Sequence, residues 1–228
     1  MIKNILLDMD NTILDFDAAE RAALKNTLLH MGLNPDDKML RRYSEINLSQ
    51  WKLLEKGEIT IPQLKVRRYS LLFEEYGLSC SAEEAAKYYE GQLGLGWFFM
   101  DGAEELLKNL YGKYRLYIVS NGLTAVQTRR IQGTGIDKYM EKIFLSQEVG
   151  TVKPNKEFFD YCFEHAPELK KEETVIVGDS LTSDIKGGKN AGIKTIWFNP
   201  DKDTAPAELT PDYEFYALNE LTDILKNI

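Results

Sequence analysis

Ile2-Lys3-Asn4-Ile5-Leu6-Leu7-Asp8-Met9-Asp10-Asn11-Thr12 is a short apolar run that ends abruptly in two carboxylates two positions apart. The run has the length of a buried strand. Similar runs cover residues 114–119, 174–177 and 194–198, and a shorter one covers 143–145. Helical patterns lie between the later runs, over residues 104–110, 158–165 and 185–191. Strands alternating with helices predict an α/β fold, a doubly wound and mostly parallel sheet with helices on both faces.

Residues 17–93 break this alternation, with helical periodicity and almost no strand signal. Asp17 predicts a cap for a helix through Ala18-Ala19-Glu20-Arg21 towards Gly32. Thr60 to Gln63 and Ser81 to Glu84 both have capping-box spacing, and Gly77 predicts a stop between two of the helices. The economical arrangement is an α-helical domain of about four helices inserted after the first strand. It divides the chain into a core of residues 1–16 and 100–228 and a cap of residues 17–99. Trp97-Phe98-Phe99 at the junction reads as hinge packing, because large aromatics favour burial.

Composition narrows the function classes. The 228 residues carry 28 Lys and Arg against 36 Asp and Glu, a net charge of −8. That balance argues against a nucleic-acid polymer or an anionic membrane as partner, since both present dense negative charge. It leaves room for a small anion, which responds to the local field. Cys80 and Cys162 are the two cysteines and His30 and His165 the two histidines, so neither a disulfide scaffold nor a zinc site is expected. The first residues lack the apolar core of a signal peptide and no segment has the length of a membrane span, so a cytoplasmic location is expected.

Ligands of open α/β sheets bind beyond the carboxyl ends of the strands. The residues that follow the predicted strands are Asp8 to Thr12, then Ser120-Asn121-Gly122, then Lys153-Pro154 after a loop, then Gly178-Asp179-Ser180 with Asp184 close behind. Four carboxylates gathered at one edge repel strongly unless some are protonated or neutralised. A hard divalent cation relieves this with oxygen ligands, and magnesium is the usual choice beside phosphate. Lys153 adds a fixed positive charge, and Ser120 and Asn121 supply neutral donors. This set suits a phosphoryl group, whose non-bridging oxygens carry the transition-state charge. Asp8 and Asp10 point the same way at a strand end. One can attack phosphorus while the other moves the leaving-group proton. Thr12 is expected to bond back into the turn.

Together these four segments resemble the signatures of a haloacid dehalogenase superfamily phosphatase, in order and spanning positions 8 to 184. The resemblance implies Asp8 as nucleophile and Asp10 as general acid and base. It implies Ser120 and Asn121 as phosphate ligands, with Lys153 steadying nucleophile and phosphate. Magnesium would be held by Asp8, the Asp10 backbone carbonyl and Asp179, with Asp184 nearby or acting through water. The inserted helices match the superfamily's cap. Asp10 favours phosphate esters, because the dehalogenases, whose halide leaving group needs no proton, lack this second carboxylate. The Asp-Asn-Thr form of the first motif, the run from Gly178 to Asp184 and the four-helix cap resemble the bacterial pyrimidine 5′-nucleotidase branch. That implies a nucleoside monophosphate as the small-molecule partner.

Simpler readings compete. A calcium loop starting at Asp8 would need Gly and Glu where Ile13 and Ala19 stand. Ser120 could be an ordinary helix cap, and Lys153 a surface lysine. Gly187-Gly188 reads as close helix-to-sheet packing, since no GxGxxG accompanies it. Alternatives to a nucleotidase are a sugar-phosphate phosphatase or phosphomutase of the same fold. In another class stands a non-enzymatic phosphoacceptor module, which the length and the insertion disfavour.

Overall fold

The computed structural model describes residues 1–228. Six parallel strands form one sheet: β1 (Asn4–Leu7), β2 (Arg115–Ser120), β3 (Met140–Leu145), β4 (Thr174–Gly178), β5 (Lys194–Phe198) and β6 (Tyr213–Phe215). Their order is β3-β2-β1-β4-β5-β6. The helices are α1 (Phe16–His30), α2 (Asp37–Glu55), α3 (Ile61–Glu75), α4 (Ala82–Leu93), α5 (Ala103–Leu110), α6 (Thr124–Thr134), α7 (Ser146–Val149), α8 (Lys156–His165), α9 (Lys186–Ala191) and α10 (Leu221–Lys226). The chain forms two compact units, Met1–Asp15 with Phe98–Ile228, and Phe16–Trp97.

In the first unit all four residues of β1 are buried, as a central parallel strand covered on both faces requires. Alternate residues serve opposite faces. Ile5 and Leu7 pack with Leu107 and Leu221, while Leu6 packs with Phe158 and Phe159. The chain first builds outwards from β1 through β2 to β3, then returns to β1's other side with β4. That reversal places the switch point beside β1, where such sheets bind ligands. Gly188 lies flat on the sheet: a Cβ there would stand 2.5 Å from Ile176 Cγ2 and 2.6 Å from Thr195 Cγ2. Gly188 therefore serves helix-to-sheet packing, as expected of the pair, whereas Gly187 faces α8, where a Cβ would stand 2.7 Å from Phe159 Cε2.

Two strands differ from the sequence expectation. The edge strand β3 begins at Met140, because its exposed Glu141 and Lys142 hide the pattern. The other edge, β6, has three residues and is too short to give one.

The second unit contains α1 to α4. Asp17 is the second residue of α1, an acid in its first turn, whereas it was expected as the cap. Ser81 Oγ accepts from Glu84 N at 3.1 Å, and Gln63 Oε1 accepts from Thr60 N at 2.9 Å. Gly77 follows α3 with φ +64°, a conformation that suits glycine. The interior holds a polar cluster around Glu20. Glu20 accepts from Ser44 Oγ and from Asn47 Nδ2, and Arg68 donates to Asn47 Oδ1 at 2.9 Å. Burial pushes the Glu20 carboxyl above its usual range, against the hydrogen bonds from Ser44 and Asn47 and the charge of Arg68. The Arg68 guanidinium lies 4.7 Å from the centre of the Tyr89 ring. Trp97 and Phe98 are 48% and 46% exposed, so the expected hinge packing holds only for Phe99, which packs against the core of the first unit.

Candidate active site

Leu7 pairs in register with Ile118 and Val177, so β1, β2 and β4 end side by side. Asp8 is the next residue, and its N–H donates to Val177 O at 2.9 Å. Asn11 then takes φ +53°, a left-handed turn that asparagine tolerates better than most residues. The turn leaves Asp10 two positions on and half-buried.

Lys153 is the central cation. Its side chain is 1% exposed, which excludes the surface-lysine reading. Nζ donates to Asp8 Oδ1 at 2.6 Å, Asp184 Oδ1 at 2.6 Å and Val119 O at 2.7 Å. Three acceptors match the three protons of an ammonium. Asn121 fixes the lysine's backbone from both sides: Oδ1 accepts from Lys153 N at 2.8 Å, and Nδ2 donates to Lys153 O at 2.9 Å. Asn121 was expected as a phosphate ligand, but its amide is engaged here.

Asp184 sits in a π-helical turn, Leu181–Ile185, at the mouth of α9. Its second oxygen, Oδ2, accepts from Ser180 N at 3.1 Å. The side chain lies over Gly178, where a Cβ would stand 2.7 Å from Asp184 Cβ and closer still to its carboxylate. Asp179 accepts from Thr12 Oγ1 at 3.4 Å. Thr12 thus reaches across to another strand's loop, where a bond within its own turn was expected.

Asp8, Asp179 and Asp184 each offer an oxygen within 4.8 Å of the others. Beside them stands one ammonium, so three carboxylates exceed the positive charge by two. Burial pushes Asp8 up to about 7, opposed by Lys153 and reinforced by Asp184 and Asp10. Asp179 is pushed well above the carboxylate range, first by burial and then by Asp8 and Asp184. Burial works against the charge of Lys153, but Asp184 and Asp8 outweigh it and hold the ammonium above the lysine range. An all-oxygen donor set short of two positive charges fits a hard divalent ion.

Ser120 ends β2, while α6 begins at Thr124 with its cap at Leu123, so Ser120 is not a helix cap. Its Oγ accepts from Gly122 N at 3.1 Å and from Gln127 Nε2 at 2.8 Å. Gln127 Nε2 also donates to Asp10 Oδ2 at 2.7 Å, and Arg130 Nη1 pairs with Asp10 Oδ1. Sequence reasoning missed Gln127 and Arg130. Their signal was available: both share the buried stripe of α6 with Val126 and Ile131, where an amphipathic helix carries apolar residues.

This constellation at the end of a parallel sheet defines a hydrolase class. The sequence matches the haloacid dehalogenase-like hydrolase family over residues 5–198, and the chain belongs to that family. It is 39% identical to the HAD-hydrolase YfnB of Bacillus subtilis, over 98% of this chain and 95% of that protein. The crystal structure of YfnB bound to magnesium superposes with a TM-score of 0.94, covering 100% of this chain and 99% of the other. Identity is 38% to the pyrimidine 5′-nucleotidase PynA of Streptococcus pneumoniae, over 99% and 96% of the two chains. It is 30% to the pyrimidine 5′-nucleotidase YjjG of Escherichia coli, over 97% and 96%. No helix is long and apolar enough to cross a membrane.

Proposed function

We propose that this hydrolase is a magnesium-dependent phosphomonoesterase that works through an aspartyl phosphate on Asp8 and acts on pyrimidine nucleoside monophosphates. The observation that carries the reading is the triad of Asp8, Lys153 and Asp184 beside Asp179, with the second carboxylate, Asp10, two residues from the first. Asp8 and Asp179 would hold the ion directly. Asp184 has both oxygens in hydrogen bonds, to Lys153 and Ser180, which suits a role through water. When bound, the cation offsets the charge of carboxylates and phosphate and polarises a phosphoryl oxygen.

The chain's own residues account for the remaining steps. An Asp8 oxygen attacks phosphorus as the ester P–O bond breaks. Lys153 favours the anionic form of Asp8 against the effect of burial and balances phosphoryl charge. Asp10 gives a proton to the departing alkoxide oxygen. Water then attacks the phosphorus of the aspartyl phosphate, Asp10 takes the water's proton, and inorganic phosphate leaves with Asp8 regenerated. Ser120 Oγ is a donor for a phosphoryl oxygen at the end of β2. Asn121 acts by fixing Lys153.

The substrate class rests on the two relatives named pyrimidine 5′-nucleotidases. A panel of pyrimidine and purine nucleoside monophosphates, deoxy forms and glyceraldehyde 3-phosphate, with and without magnesium, tests it. Phosphate release highest on the pyrimidine esters is expected. A preference for the triose phosphate would overturn the substrate class and keep the chemistry. Silence on every ester would overturn both.

A further inference from the structure

Each oxygen of Asp10 is engaged by a residue of α6. Arg130 Nη1 pairs with Oδ1, and Gln127 Nε2 donates to Oδ2 at 2.7 Å. Gln127 Nε2 makes a second bond, to Ser120 Oγ at 2.8 Å, and Gln127 Oε1 accepts from Arg130 Nη1 at 3.3 Å. One side-chain amide thus bridges the group proposed to move the proton and the group proposed to hold the phosphate. The fully buried Arg130 backs the bridge. A charge is costly to bury, and an amphipathic helix gains nothing by carrying one on its inner stripe.

Gly122 supplies an independent observation. Its φ is not left-handed, so the backbone does not require glycine there. A Cβ at 122 would stand 2.5 Å from Gln127 Cδ and 2.8 Å from Gln127 Cγ. The glycine after Asn121 leaves room for the Gln127 side chain to pass between β2 and Asp10.

We propose that Gln127 and Arg130 are positioning residues that fix the Asp10 carboxylate relative to Ser120, setting proton transfer to the leaving oxygen. The inference rests on the phosphomonoesterase reading. It makes a demand that a purely structural pair would not. Positioning of the proton donor matters when the leaving group is an alkoxide, which must be protonated. It matters little when the leaving group is p-nitrophenolate, which departs as the anion.

The test compares kcat/KM, which reports steps up to formation of the aspartyl phosphate, for uridine 5′-monophosphate and p-nitrophenyl phosphate. The variants are Gln127→Met, Arg130→Lys and Gly122→Ala. Gly122→Ala removes no group of the network and displaces Gln127. For Gln127→Met and Gly122→Ala, a misplacement of this kind predicts a loss of about 100-fold on the nucleotide. It predicts a kcat/KM loss within about 5-fold on p-nitrophenyl phosphate, because slower hydrolysis of the aspartyl phosphate, common to both esters, lowers kcat and KM together. Arg130→Lys keeps the charge and is expected to fall between wild type and Gln127→Met. Equal losses of kcat/KM on both esters, or a loss on the nucleotide that is only a rise in KM, would overturn the proposal. Wild-type activity that Asp8→Asn abolishes checks the underlying reading separately. A readout without turnover covers the remaining case: the Gln127 side-chain amide protons should exchange slowly with solvent, and faster in Asp10→Ala. Fast exchange in the wild type would overturn the proposal whatever the enzyme hydrolyses.

Discussion

Gly178→Ala adds one methyl group at the end of β4. The residue is not in the left-handed region, so alanine fits the backbone, and in open space the change would gain slightly from a less flexible unfolded chain. Space is the difficulty. The new Cβ would stand 2.7 Å from Asp184 Cβ, where ordinary contact needs 3.4 Å or more. Asp184 is fully buried and cannot swing into solvent. A shift of its carboxylate disturbs the 2.6 Å bond to Lys153 Nζ and the 3.1 Å bond from Ser180 N. Overpacking a core site costs about 1–3 kcal/mol. Breaking a buried ion pair outright costs about 3–5 kcal/mol. Partial displacement therefore predicts a loss of about 2–4 kcal/mol. Urea unfolding with and without magnesium measures it, and the variant should also show a weaker stabilisation by the ion. Gly91→Ala in α4 is the control. Nothing lies within 4 Å of its added Cβ, so helix propensity alone predicts a gain of about 0.5–1 kcal/mol. If Gly178→Ala unfolds like wild type and keeps its full magnesium response, Asp184 is not held as described.

Two further outcomes follow from the buried carboxylates. Burial raises Glu20, so the folded state keeps that proton to higher pH than the unfolded chain does, and Glu20's contribution to stability falls as pH rises through the folded-state value. Thermal melts of Glu20→Gln across that range should show the variant gaining on wild type with rising pH and then levelling; a pH-independent difference would refute the assignment. With Asp8 near 7 and Asp179 also raised, the metal-free site holds protons at neutral pH, and the contribution of Asp8 to stability falls as pH rises through about 7. Magnesium should then displace protons, seen by calorimetry in buffers of different ionisation enthalpy, with release fading as pH rises past the range in which both carboxylates hold protons. Constant proton release at all pH values would contradict the raised values.

The legible parts of the sequence were those with local signals. β1 was legible because a central strand is buried on both faces and reads as unbroken apolar residues. The edges were not: β3 carries Glu141 and Lys142, and β6 has three residues. Asp8, Lys153, Asp179 and Asp184 could be gathered in advance because strand ends converge in any such sheet. The side-chain partners could not. Thr12 reaches Asp179, 167 positions away, and Arg130 reaches Asp10 across 120. Asn121 looked like a ligand because free amides bind phosphate, but strand-end geometry turns its amide onto the Lys153 backbone. The net charge of −8 said nothing of the site, where one ammonium among three carboxylates sets the local field.

The most direct measurement is to trap the covalent intermediate. Enzyme turning over uridine 5′-monophosphate with magnesium is quenched in acid and treated with borohydride, which reduces an acyl phosphate to the alcohol. Peptide mass spectrometry then reads the site. The account predicts homoserine at position 8 in the wild type and neither reduction nor phosphate release in Asp8→Asn. Sustained turnover by Asp8→Asn, or reduction at any other carboxylate, would contradict it.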